Sequence, residues 1–203
     1  MHRSYHRWES PALRRPMELL VFGHAGAPVI VFPTSQGRFF EYEDRGMVHA
    51  LSHHLEQGWI QLYCVDSVDS ESWYCGWAHP RGRLDRHDEY ERYILDEVLP
   101  FIRSQNDNPF TMVHGCSFGA SHAMLIALRH PDRFNRVIGL SGYYDMRHFL
   151  DGYSDEQVYF HNPLDFIAGV QEGEYAEQLR RLDIIMAIGR DDSAAWTNQQ
   201  LSD

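Results

Sequence analysis

His114-Gly115-Cys116-Ser117-Phe118-Gly119-Ala120 contains the pattern G-x-S-x-G, and its flanks decide how it is read. The residues before it, Pro109-Phe110-Thr111-Met112-Val113-His114, form a short apolar run suited to a buried strand. Those after it, Ser121-His122-Ala123-Met124-Leu125-Ile126-Ala127-Leu128-Arg129-His130, are mostly good helix formers and stop before Pro131. Strand, glycine-flanked turn and helix is the setting of a nucleophile elbow. Two glycines let the chain turn sharply and leave the serine exposed at a helix N-terminus. The plain alternative is a glycine-rich turn that only packs a helix on a sheet.

Working outward, residues 5–9 alternate weakly and 17–23 are apolar, so the chain opens on two strands. Residues 28–33 form a continuous apolar run suited to a central strand, which suggests a hairpin feeding a parallel sheet. Met47, Leu51 and Leu55 give residues 43–57 a helical face that stops at Gly58. Strands follow at 59–65, 135–141 and 182–188, and helices at 87–103, 174–180 and from about 194. The stripe Tyr90, Ile94, Val98 and Phe101 or Ile102 reads as core. Residues 66–83 are a long aromatic connection, and 145–173 an irregular stretch with the character of a lid. Strands alternating with helices predict one α/β domain over 1–203, with a mostly parallel sheet covered on both faces.

Composition sets further limits. There are 18 Lys and Arg against 29 Asp and Glu, a net charge of −11. That opposes nonspecific binding to nucleic acid or to anionic membranes. No apolar run is long enough to span a bilayer, and the N-terminus lacks the apolar segment of a signal peptide, so a cytoplasmic protein is expected. Cys64, Cys75 and Cys116 have no metal-ligand spacing, and their odd number argues against a disulfide framework. His49 and His53 stand at i, i+4 on the expected helix, but no third ligand is near, and a polar helix face is the preferred reading.

A serine hydroxyl needs a base to take its proton, and the base needs a carboxylate to orient it. In folds with this elbow the acid follows the serine, and the histidine follows the acid. Gly189-Arg190-Asp191-Asp192 comes just after a late strand, so Asp192 is the first candidate acid and Asp191 the second. An N-cap aspartate ahead of Ala194-Ala195-Trp196 is the competing reading. An oxyanion hole needs two aimed donors. The Phe118 N–H is one; the other is expected from Thr34-Ser35-Gln36-Gly37, with Gln36 preferred and Ser35 the alternative.

Taken together, several segments resemble one family. They are Val29-Ile30-Val31-Phe32-Pro33 with its following loop, residues 90–102, the elbow, the run Ala127-Leu128-Arg129-His130-Pro131-Asp132-Arg133-Phe134, Ser141-Gly142-Tyr143-Tyr144-Asp145 and Gly189-Arg190-Asp191-Asp192. The chain resembles the esterase family of the α/β-hydrolase superfamily that includes esterase D, S-formylglutathione hydrolase and the mycobacterial mycolyltransferases. The resemblance implies an α/β-hydrolase fold, Ser117 as nucleophile, Asp192 as triad acid, a small ester or thioester substrate, and no metal or organic cofactor.

One element of that pattern is missing. The family's triad histidine follows the acid, whereas no histidine follows Asp192 and the last in the chain is His161. Three readings stay open. The chain is a piece of a longer esterase, without the last strand and helix; it is a hydrolase-fold protein that binds without catalysis; or an upstream histidine substitutes. His114 and His122 flank the elbow, but His114 is expected within a packed strand and His122 is expected to follow the helix away from the serine hydroxyl, while His24, His79 and His161 fall in loops. Without a further strand, residues 182–188 become an apolar sheet edge, and a homodimer joined through that edge is expected.

Overall fold

The computed structural model describes residues 1–203. Seven strands form one sheet: β1 (Arg3–Ser10), β2 (Arg15–Phe22), β3 (Ala27–Phe32), β4 (Ile60–Val65), β5 (Met112–Cys116), β6 (Arg136–Leu140) and β7 (Asp183–Ala187). Their order across the sheet is β1-β2-β4-β3-β5-β6-β7. β1 and β2 are an antiparallel hairpin, β2 meets β4 antiparallel, and every pairing from β4 to β7 is parallel. The expected hairpin feeding a parallel sheet is therefore present.

Alternation along the strands divides the core. Ile30, Phe32 and Val113 join a 33-residue apolar cluster on one face. Val29, Val31 and Met112 join a 9-residue cluster on the other. The larger cluster is covered by α4 (Pro80–Tyr93), α5 (Leu99–Gln105) and α6 (Phe118–Arg129), which contribute Leu84, Tyr90, Ile102, Met124 and Leu128 to it. Glu97 fixes the hairpin to this layer by accepting from Trp8 Nε1, Ser10 Oγ and the Ala12 N–H, at 2.7, 2.7 and 3.1 Å.

Between α4 and α5 the helix widens to a π turn over Ile94–Val98. Pro100 lacks the N–H that a regular helix would aim at the Asp96 carbonyl, and a register shift ahead of it removes the conflict. The helix expected at 87–103 begins earlier, at Pro80, with the His79 ring accepting from the Arg81 N–H. Proline at the first helical position and a side-chain cap explain that start. The aromatic connection accordingly ends at residue 79.

The helix expected over 43–57 is instead three short ones, α1 (Glu41–Asp44), α2 (Met47–Ala50) and α3 (Ser52–Glu56). Gly46 adopts φ 76°, which interrupts the helix after its first turn. A second break, at Leu51, puts His49 and His53 on different helices. The irregular stretch 145–173 holds two more short helices, α7 (Glu156–His161) and α8 (Pro163–Phe166). After it come α9 (Glu174–Arg181), β7 and α10 (Ala195–Ser202).

β7 is a terminal strand paired only with β6, and Ile184 and Ile185 are 40% and 43% exposed. No helix is long and apolar enough to cross a membrane.

Candidate active site

Parallel strands deliver their following loops to one end of the sheet. Loop 33–38 after β3, Ser117 after β5, loop 141–145 after β6 and residues 188–192 after β7 therefore share one end. His24 precedes β3 and His130 follows α6, which places both at the opposite end.

Ser117 stands between β5 and α6 with φ 55° and ψ −126°. A non-glycine residue in this region costs about 1–3 kcal/mol and is held only by its surroundings. Two of the restraints are hydrogen bonds, from the Ser117 N–H to the Leu140 carbonyl at 2.8 Å and from the Ala120 N–H to the Ser117 carbonyl at 3.0 Å. The flanking glycines are sterically required. A Cβ on Gly115 would lie 2.1 Å from the Gly119 carbonyl carbon, and one on Gly119 would lie 2.4 Å from the Phe32 oxygen. The turn that the sequence predicts is thus present, with Ser117 exposed at its apex.

Phe118 opens α6, so its N–H has no intrahelical acceptor. Loop 34–37 is tied at every residue. Thr34 donates through N–H and Oγ1 to Glu41, at 2.8 and 2.7 Å. Ser35 Oγ accepts from Tyr74 Oη at 2.8 Å, and the Gly37 carbonyl accepts from Ser67 Oγ at 2.8 Å. The Gln36 N–H, the preferred second oxyanion donor, donates to Asp69 Oδ2 at 2.9 Å. The Ser35 N–H, its alternative, makes no hydrogen bond within the protein.

Asp192 Oδ1 accepts from the Ala194 N–H at 2.9 Å, a turn-capping role of the kind that competes with catalysis for this residue. Its charge also reaches the elbow. The Cys116 thiol is held above its ordinary pKa first by burial, with smaller contributions from Glu41 and Asp192. Asp191 is exposed.

No histidine is hydrogen-bonded to Ser117. His114 bonds the Ile138 carbonyl at 2.8 Å, within β5 as expected, and burial lowers its pKa. His122 points from α6 to Asp69 Oδ1 at 2.8 Å. His79 caps α4, and His161 contacts Asp88 and Arg129, each at 2.9 Å. His148, which the sequence did not single out, lies exposed against Tyr143 and Phe149, with ring centroids 6.0 and 5.6 Å away.

The two long connections meet beside the elbow. Tyr74 and Phe149 each pack on the Phe118 ring, at 5.1 and 5.0 Å. The buried Arg83 guanidinium joins these segments by donating to the carbonyls of Ala78, Gly76 and Phe149. A cavity of about 340 Å³ opens beside Cys116 rather than Ser117, lined among others by Tyr42, Met47, Cys64 and His114.

His87, Asp88 and His161 form a cluster with metal-ligand spacing. The Arg129 guanidinium is 3.0 Å from Asp88 and 3.0 Å from Glu91, so a cation already stands there. Burial, then His122, His161 and Arg129, hold the His87 pKa well below its ordinary value. The unfolded chain therefore binds a proton at His87 more readily than the folded protein does, and stability falls as pH drops below about 6.5. Each unit of depression is worth about 1.4 kcal/mol. Melting followed from pH 7.5 to 5 is expected to show a falling midpoint, with a shallower fall in His87→Phe. An identical pH slope in both would refute this assignment.

Fold and elbow together define a protein of the α/β-hydrolase class. Residues 63–201 match the family described as Putative esterase, and the chain belongs to that family. Among solved structures it is similar to a ferulic acid esterase, at 15% identity and a TM-score of 0.77, over 99% of this chain and 83% of that one. It is also similar to the S-formylglutathione hydrolase of Agrobacterium tumefaciens, at 15% identity and a TM-score of 0.67, over 98% of this chain and 91% of that one. The Staphylococcus aureus S-formylglutathione hydrolase gives 14% identity and a TM-score of 0.63, over 98% and 96% of the two chains. No curated protein sequence matches the chain.

Proposed function

We propose that this protein is a carboxylic ester or thioester hydrolase that works through an acyl-enzyme on Ser117. The observation that carries the reading is the strained, exposed serine at the start of α6. Its Oγ attacks the substrate carbonyl carbon while an imidazole takes its proton. The Phe118 N–H and an amide of loop 34–37 hold the tetrahedral oxyanion. Collapse expels the alcohol or thiol, which recovers the proton, and water then releases the acid by the reverse sequence. Asp192 orients the imidazole. No metal or organic cofactor takes part in this scheme, and Tyr74, Phe118 and Phe149 form an apolar wall beside the reacting centre.

None of the histidines present is hydrogen-bonded to Ser117, and no residue of the chain is assigned as the base. A second reading, binding without turnover, draws on that same observation. The two are separated by p-nitrophenyl butyrate hydrolysis with imidazole added to the assay. Hydrolysis that depends on Ser117 supports the enzyme; binding of the ester with no Ser117-dependent turnover supports the binding protein. Ser117-dependent turnover without added imidazole would point to a resident base, and loss of it in His148→Ala would identify that base.

The free edge of β7 is proposed to pair with a second copy of the chain, because exposed backbone flanked by Ile184 and Ile185 favours strand addition. Light scattering is expected to give the mass of a dimer, and Ile185→Lys to shift it toward the monomer. A monodisperse wild-type monomer would count against this pairing.

A further inference from the structure

We infer that Asp69 is a positioning residue whose carboxylate clamps loop 34–37 to the elbow helix α6 through His122. The inference rests on the reading of Ser117 as nucleophile and of the loop as an oxyanion donor. Asp69 lies in the connection after β4, in a 3₁₀ turn over Asp69–Glu71, and is 1% exposed. Its two oxygens serve two different elements. Oδ2 accepts from the Gln36 N–H at 2.9 Å, and Oδ1 accepts from His122 Nε2 at 2.8 Å. His122 is 3% exposed on the same helix that Ser117 begins.

Donor and acceptor roles follow from the carboxylate, which only accepts. His122 Nε2 must carry a hydrogen, and in the neutral ring its Nδ1 is then an acceptor. His87 Nε2 faces that atom at 3.4 Å and, with both rings neutral, donates to it. The His87 ring is stacked on His122 with centroids 5.4 Å apart, and the Phe32 ring is stacked on His122 at 5.8 Å. Neither imidazole is free to turn toward solvent. The chain of groups therefore runs from the exposed loop residue Gln36 to the buried Asp69, His122 and His87.

Its placement gives it a purpose. Gln36 has φ 55°, a conformation that a non-glycine residue keeps only under restraint. The bond to Asp69 supplies that restraint. With the Gln36 amide engaged, the neighbouring Ser35 N–H is left without a partner, and Tyr74 fixes the Ser35 side chain. One carboxylate thus sets the spacing between the amide-bearing loop and the helix that carries Ser117.

Replacing Asp69 by Ala removes the acceptor of the Gln36 N–H and strands the buried His122 Nε2–H. Asp69→Asn can keep both bonds, because its oxygen accepts from Gln36 and its amide donates to His122 once the two histidines exchange tautomers. Two readouts test the clamp on the 203-residue chain. The first is hydrogen exchange at the Gln36 amide. It is expected to be about a hundredfold faster in Asp69→Ala and near wild type in Asp69→Asn. The second is butyrylation of Ser117 by p-nitrophenyl butyrate with imidazole, followed by intact mass. The Ser117 Oγ–acyl bond forms, nitrophenolate leaves and imidazole takes the serine proton. The maximal rate is expected to fall about a hundredfold in Asp69→Ala, with the half-saturating ester concentration within about twofold and Asp69→Asn restoring most of the rate.

Unchanged Gln36 exchange in Asp69→Ala would overturn the clamp. Faster exchange with a maximal rate like that of wild type would overturn its part in the chemistry. Absence of Ser117 butyrylation in the wild type would instead refute the nucleophile assignment, with the exchange arm still deciding the clamp.

Discussion

Supplying imidazole is expected to raise p-nitrophenyl butyrate hydrolysis by this chain about a hundredfold, and Ser117→Ala is expected to remove that gain. Without imidazole the two proteins should differ little. Residues of a triad act as a unit, and removing either nucleophile or base costs nearly as much as removing both. What survives in either case is the contribution of the oxyanion donors and of substrate binding. A serine tested in the absence of a base therefore looks unimportant, and the informative quantity is the coupling between the mutation and the added imidazole. Imidazole hydrolyses activated esters by itself, so the rate with Ser117→Ala is the background to subtract. Equal stimulation of both proteins would contradict the assignment.

Gly119→Ala is expected to destabilise the fold by about 2–4 kcal/mol and to abolish Ser117 reactivity. The new Cβ would stand 2.4 Å from the Phe32 oxygen and 2.5 Å from the Pro33 oxygen, both backbone atoms. No rotamer change relieves such a contact, so the end of β3 has to move away from α6. That movement displaces loop 34–37 from Ser117, and activity goes with it. Gly82→Ala, in α4, is the control. A methyl group there would meet nothing within 4 Å, and it should stabilise by about 0.5–1 kcal/mol through helix propensity. Denaturant melts of the three proteins check both effects. A Gly119→Ala protein as stable as wild type would show that the approach of α6 to β3 is not tight.

Much of this architecture was legible because its signals are local. The elbow declares itself through glycines at fixed spacing, and the parallel strands through apolar runs such as Val29-Ile30-Val31-Phe32. Two features were hidden for physical reasons. The inward positions of α4 include Arg83, His87 and Glu91, each 2–4% exposed, and Leu84 is the one buried apolar side chain ahead of Tyr90, so no apolar period shows there. What the sequence offered there was only the Pro80 start. The clamp of Gln36, Asp69 and His122 joins residues far apart in the chain, and a carboxylate bridging two elements leaves no spacing to read. The break between α1 and α2 had a visible cause in Gly46, outweighed by the period of Met47, Leu51 and Leu55, whereas the break at Leu51 had none.

The acid and the oxyanion donors are intermediate cases. Topology puts residues 188–192 at the same end of the sheet as Ser117, as their place after a late strand implied. Which amide of loop 34–37 is free depends on where Asp69 points, and that is a property of packing rather than of sequence order.

The central claim, that Ser117 is the reactive nucleophile, is tested most directly by treating the chain with a fluorophosphonate in the presence and absence of imidazole and locating the adduct by peptide mass. The expected result is one phosphonyl group on Ser117, formed faster with imidazole as fluoride leaves phosphorus. An adduct on Cys116 or elsewhere, or none at any imidazole concentration in a folded sample, would contradict it.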